Sequence, residues 1–179
     1  MITMPLTLDS ARLHMRAPEM VDAAAVLAYA GDAAVTRFME WPTHVDIDDT
    51  EDFIDAVQGG WDDGDDYCYL LTLADSGHIV GAASLQFDAH GASLGYIVAA
   101  EHWGQGIASE AAAALVDAAW QTDDLYRVWA TVDIDNAASA RVLVKIGLTY
   151  EARLARWSLR PNRESPEVPR DVHVYAVTR

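Results

Sequence analysis

The sequence predicts an α+β fold with a mixed sheet, and three observations carry that reading. After one short strand, helical signals run from residue 19 to Gly60, and the first long β-branched and aromatic runs begin only at Tyr67. The runs at 67–74 and 79–87 are separated by Asp75-Ser76-Gly77, a hairpin-type turn signal that joins antiparallel strands. Residues 94–119 then read as a strand, a glycine-containing loop and an alanine-rich helix, and a second strand and helix follow. Helices, antiparallel strands, a βαβα unit and two closing strands are the order of an α+β domain.

Each element has its own signal. Residues 11–16 alternate Leu13 and Met15 with polar neighbours, which predicts a short first strand. Pro18 opens a helix over 19–29 that ends near Gly31, and a shorter helix is expected over 33–39, broken by Trp41-Pro42. Asp48-Asp49-Thr50-Glu51 resembles a capping box for a helix carrying Phe53, Ile54 and Val57 up to Gly59-Gly60. His90-Gly91 turns the chain into a strand at 93–98, and RVWATV at 127–132 is the next strand. A helix over 136–146 ends at Gly147, and strands at 149–159 and 172–177 close the sheet. Pro161, Pro166 and Pro169 make 160–170 a loop.

Composition narrows the function. With 179 residues, 51% of them hydrophobic, the chain suits one domain spanning 1–179. No run of about 18 apolar residues is present, and residues 1–17 carry Asp9, Arg12 and Arg16 rather than the apolar centre of a signal peptide, so a soluble, cytoplasmic protein without a membrane partner is expected. Cys68, the only cysteine, lies in an apolar segment and reads as a small buried hydrophobe. The net charge of −16 sets 28 acidic residues against 12 basic ones, a field that disfavours DNA and other phosphate-backbone partners. The aspartate runs read as solvated surface, because they lack the glycine and glutamate of a calcium loop, and the six histidines show no metal-ligand spacing. No metal is expected.

Residues 94–119 organise the rest. A loop entering a helix presents backbone N–H groups to an anion, and Gly104, Gly106 and the small Ala108 keep that approach open for a phosphate. A Walker loop is excluded because no lysine follows Gly106, and a dinucleotide fingerprint loses its third glycine at Ser109.

These fragments carry a resemblance. LGY with HWGQGIASEA, VDIDNAASARVLVKIGL, YEARLARW and DVHVYA, in that order, resemble the GCN5-related N-acetyltransferase (GNAT) superfamily, and FMEWP at 38–42 resembles an acceptor-side segment of its ribosomal-protein N-terminal acetyltransferase, RimJ/RimL-like, branch. The likeness runs from about Leu6 to Thr178. It implies a mostly antiparallel sheet of six to seven strands, four to five helices, and direct acetyl transfer from acetyl-CoA to a primary amine. The implied acceptor is a protein or peptide N-terminus. A small amine such as an amino acid, polyamine or aminoglycoside, or a coenzyme A-binding module without turnover, is the alternative. A monomer and a homodimer fit equally.

The resemblance also distributes roles. The diphosphate of coenzyme A belongs at Trp103, Gly104, Gln105, Gly106, Ile107, Ala108 and Ser109. The family pattern there is Arg or Gln, two residues, Gly, one residue, then Gly or Ala, and this chain departs from it only at Trp103. Backbone groups at Tyr96, Ile97 and Val98, on a strand splayed from its neighbour, bind pantetheine and polarise the acetyl carbonyl. Asn136 matches an asparagine that contacts coenzyme A, while its residue type also suits a helix cap. Many relatives place a proton-donating tyrosine seven residues later; here that position is Leu143, which leaves Ser139 as the candidate donor or as a plain polar helix residue. Glu101 and Glu40 are the candidate carboxylates for the amine, Glu40 beside Trp41 suiting a cationic group or, equally, solvent. Glu110 fits the helix start better than the chemistry.

Overall fold

The computed structural model describes residues 3–179. Strands β1 (Thr7–Asp9) and β2 (Leu13–Arg16) form a hairpin at one edge, with Leu13 and Met15 buried. β1 has no counterpart in the sequence reading: three residues are too few to show alternation, and the strand exists because it pairs with β2. A 3-10 turn at Met20–Asp22 takes the place of the first helical turn expected after Pro18. The buried Asp22 carboxylate there accepts from the Glu19 N–H at 2.8 Å and from Arg16 at 2.7 and 2.8 Å. Helix α1 (Ala23–Ala30) follows, then α2 (Ala33–Thr36), capped by the Asp32 side chain. α2 stops three residues earlier than expected because Met39 N–H turns back to Thr36 O at 2.8 Å.

Helix α3 (Ile47–Asp63) is capped two residues upstream of the predicted box. Asp46 accepts from Asp49 N–H at 3.2 Å, while the Asp49 carboxylate accepts from Val45 N–H at 2.8 Å. The helix continues through Gly59-Gly60 to Gly64 at φ 76°. Gly60 is a point of contact rather than a stop: a Cβ there would stand 2.8 Å from Asp66 Cβ, at the start of the next strand.

Strands β3 (Asp66–Leu73), β4 (Ile79–Asp88) and β5 (Gly91–Val98) run antiparallel as predicted. A 3-10 turn at Ala100–His102 leads to α4 (Ile107–Ala119), β6 (Arg127–Asp133), α5 (Ala137–Lys145), β7 (Thr149–Ser158) and β8 (Arg170–Thr178). Among the described residues the sheet has eight strands in the order β1-β2-β3-β4-β5-β6-β8-β7, one more than the upper expectation. Every neighbouring pair is antiparallel except β5–β6.

Alternation along β3 divides the core between two faces. Tyr67, Tyr69 and Leu71 pack with Leu115 of α4 and Leu143 of α5, while Cys68 and Leu70 pack with Val26 of α1 and Val57 of α3. Burial pushes the Cys68 thiol up to about 12, which suits a packing residue. No helix among the described residues is long and apolar enough to cross a membrane.

Candidate active site

The parallel pair β5–β6 sets the site. It holds only at Ala92 opposite Val128 and Ser93 opposite Trp129, after which the strands part. Ala99 N–H donates to Val80 O at 2.9 Å, so the alternation of the ladder turns the backbone groups of Val98 and Tyr96 away from β4, toward the gap. Trp103 closes the far end of that gap, its indole N–H donating to Val98 O at 2.7 Å. A cleft of about 600 Å³ fills the opening, lined by β5, the loop into α4, one face of α5, and residues 34–39 around α2.

Gly104 (φ 74°) and Gly106 (φ 80°) adopt the left-handed backbone that glycine tolerates without strain. The first bond of α4 runs from Glu110 N–H to Gly106 O at 3.0 Å, which leaves the N–H groups of Ile107, Ala108 and Ser109 ahead of the helical ladder. Two cations stand beside them. Arg12 Nη2 and Lys145 Nζ lie 3.6 and 3.8 Å from where a Gly106 Cβ would be. Arg12 is tied down, donating to Gln105 O at 3.0 Å and to Glu110 Oε2 at 2.7 Å. Burial alone would raise the Glu110 carboxyl, but bonds from Ser10 and Arg12 outweigh it and hold the group below its usual range.

On α5, Asn136 Oδ1 accepts from Ser139 N–H at 3.1 Å and caps the helix. The Ser139 hydroxyl lies 2.7 Å from the Tyr96 hydroxyl, which also donates to Ser139 O at 3.0 Å. Burial pushes Tyr96 up to about 12, against the lowering effect of Ser139.

Comparison with known proteins gives this geometry a family. The Acetyltransferase (GNAT) domain model matches residues 12–149. The chain belongs to the GNAT acetyltransferase family. It is 26% identical to the uncharacterized N-acetyltransferase p20 of Bacillus licheniformis, over 83% of this chain and 85% of p20. RimJ of Mycobacterium smegmatis, solved with CoA-disulfide, superposes with a TM-score of 0.81 at 25% identity, over 96% of this chain and 87% of RimJ. RimL, solved as a ribosomal L7/L12 α-N-protein acetyltransferase with coenzyme A, gives 0.83 at 21% identity, over 99% and 98%. Family membership makes this GNAT chain an acyltransferase.

In the GNAT cleft, Tyr96, Ile97, Val98, Trp103, Gly104, Gly106, Ile107, Ala108, Ser109, Asn136 and Ser139 all line the walls, as do Phe38, Met39 and His102. Gln105 does not; its side chain donates to Glu101 O at 2.9 Å and braces the loop. Glu101 is exposed on the 3-10 turn outside the lining, and its carboxylate has no partner among the described residues. Glu40 also lies outside the lining. It pairs with the buried Arg160 at 2.6 Å and accepts from Ser158 Oγ at 2.6 Å, because burial of Arg160 demands a counter-charge. Both contacts fall on Oε1, and the side chain stays 59% exposed. Leu143 is fully buried beneath α5.

Sequence reasoning missed the cations Arg12, Arg141 and Lys145. The signal for the last two was present: Ala138, Arg141 or Val142, and Lys145 recur at helical spacing and form the stripe of α5 that lines the cleft. It also missed Asn162, which joins the loop 160–170 to the segment after α2. Its Nδ2 donates to Thr36 O and Trp41 O at 2.8 and 2.9 Å, and its Oδ1 accepts from Thr43 N–H at 2.9 Å. Trp41 in turn packs near Phe53 of α3, with centroids 6.3 Å apart, so the FMEWP segment, α3 and the loop 160–170 meet. Among the described residues no group of side chains could hold a metal ion.

Proposed function

We propose that this chain transfers an acetyl group from acetyl-CoA directly to the N-terminal amine of a protein or peptide in the cytoplasm. The observation that carries the reading is the splay of β5 from β6 into a cleft that ends on the start of α4. The residues fit the cosubstrate: unbonded N–H groups of Ile107, Ala108 and Ser109, with Lys145 and Arg12 beside Gly106, suit a diphosphate, and the apolar walls of Ile97 and Val142 suit pantetheine. When bound, acetyl-CoA supplies an acetyl group activated as a thioester.

The chain's own groups then divide the work. Val98 N–H, turned to the gap, is positioned to bind the oxygen on which negative charge develops. Asn136 holds the first turn of α5 and with it Ser139. The Ser139 hydroxyl delivers the proton that the departing thiolate takes up, and Tyr96 orients that hydroxyl. An α-amine has a reference pKa near 8 and needs only modest help at neutral pH, which Glu101 provides through water. Glu40 serves the acceptor wall through Arg160.

RimJ and RimL share this fold, and RimL acts on a ribosomal protein's α-amine. The test is free-thiol release from acetyl-CoA with a panel of peptides, amino acids, polyamines and aminoglycosides. A higher kcat/KM on peptides is expected. A small amine that surpasses every peptide overturns the acceptor assignment.

A further inference from the structure

A second cavity of about 530 Å³ lies on the acceptor side, between α2 and the loop 160–170. Its lining includes Arg37, Arg163 and Arg170, in a chain with only 12 basic residues against 28 acidic ones. Arg170 is spent on Asp133 and Asp135. Arg163 is half spent: Nη2 donates to Asp135 at 2.8 Å, while Nη1 is buried with no hydrogen-bond partner among the described residues. Arg37 is exposed and makes no ion pair among the described residues. Both guanidiniums stand over one ring, their central carbons 5.5 Å (Arg37) and 5.2 Å (Arg163) from the centroid of Phe38, and Phe38 also lines the acetyl-transfer cleft.

We infer that this pocket binds a carboxylate of the acceptor, so that the preferred substrate is a peptide with an acidic residue close behind its N-terminal amine. The inference rests on the acetyltransferase reading of the neighbouring cleft. With the amine in the cleft, an extended chain advancing roughly 3.3–3.6 Å per residue carries the side chains that follow it past Phe38, which borders the cleft and lies beneath both arginines. A planar guanidinium with free N–H groups suits a carboxylate, and the exposed, unpaired Arg37 supplies one, with Arg163 adding positive charge over the same ring. Two features oppose binding. Glu164 lines the same pocket without an ion-pair partner among the described residues, and the net charge of −16 repels any acidic peptide at long range. Both give the inference a sign that experiment reads.

The experiment is isothermal titration of the CoA-loaded protein, in about 0.15 M salt to screen the long-range field, with N-acetyl-Ser-Asp-Glu-Ala amide and its twin N-acetyl-Ser-Asn-Gln-Ala amide. The acidic peptide is expected to bind about tenfold more tightly, the effect of one charge-assisted hydrogen bond. Arg37→Glu abolishes the difference and Arg37→Gln reduces it, whereas Glu164→Gln enlarges it. Melting temperatures verify that each variant is folded. Equal affinities, no binding of either peptide, or a preference unmoved by Arg37→Glu and Glu164→Gln overturns the inference. Thiol release with the unblocked peptides separates the two readings. Turnover without acidic preference retains the acetyltransferase and removes the pocket; acidic preference in binding without turnover on any amine retains the pocket and removes the proposed reaction.

Discussion

Replacing Asn162 with alanine tests whether one side chain holds the acceptor wall together. The residue donates to Thr36 O and Trp41 O and accepts from Thr43 N–H, three bonds of 2.8 to 2.9 Å that bridge more than a hundred residues of sequence. A neutral hydrogen bond contributes about 0.5–1.5 kcal/mol net, so three give about 1.5–4.5 kcal/mol. Thr36 is fully buried and water cannot easily replace the lost donor, which places the expected loss near 3 kcal/mol. For a chain of this size that lowers Tm by about 6–12 °C. Urea denaturation should show a lower midpoint at unchanged slope, and KM for the acceptor should rise while affinity for CoA holds. Asn162→Asp is the sharper variant. It retains an acceptor for Thr43 but sets a carboxylate against two carbonyl oxygens, and it should be at least as damaging as alanine. A loss below about 1 kcal/mol for both variants would refute the assignment of Asn162 as the tie between these segments.

Tyr96→Phe removes the hydroxyl bonded to Ser139 and should lower kcat about tenfold, with KM for acetyl-CoA nearly unchanged. Ser139→Ala should do the same and the double variant no worse, since both remove one proton path; additive losses would show that the hydroxyls act separately. Because Tyr96 is raised to about 12, it stays protonated at neutral pH and should give no inflection in the pH–rate profile below pH 10. Glu110 supplies a stability test. Its folded-state pKa is lowered from 4.5, so its contribution is present above that value and disappears as pH falls through the lowered one. The Tm difference between the parent protein and Glu110→Gln should be largest near pH 7 and narrow progressively as the pH falls below 4.5; a pH-independent gap would remove the linkage.

What the sequence made legible was local. β5, the glycine loop and α4 announce themselves through alternation, two glycines and an alanine run within 26 residues, and every one of those signals is found in place. The Asn136 cap and the Ser139 position are local in the same way. What escaped depends on partners far along the chain. Arg12 meets Gln105 and Glu110 across 93 and 98 residues, and Asn162 meets Thr43, Trp41 and Thr36 across 119 to 126. Nothing near Arg12 says it borders the glycine loop and the start of α4, because only the β1–β2 hairpin folding onto α4 brings it there. The pairing of Glu40 escaped for the same reason: its neighbours in sequence say nothing of its partner, Arg160, which lies in another segment altogether.

The overall charge shows how average composition and local electrostatics part company. A net charge of −16 argues against anionic partners when read as a whole, yet coenzyme A is itself an anion. The resolution lies in which cations are left free. Of the 12 basic side chains, seven pair with carboxylates among the described residues: Arg12, Arg16, Arg127, Arg153, Arg160, Arg163 and Arg170. Of the five that do not, Arg141 and Lys145 line the cofactor cleft and Arg37 lines the second pocket. The acidic residues neutralise most of the basic ones and leave unpaired positive charge at the walls of the two cavities. Within a Debye length of about 8 Å at physiological salt, those few cations outweigh a distant excess of aspartate. Binding of coenzyme A should accordingly respond far more to Lys145→Gln than to removal of any two surface aspartates of α3.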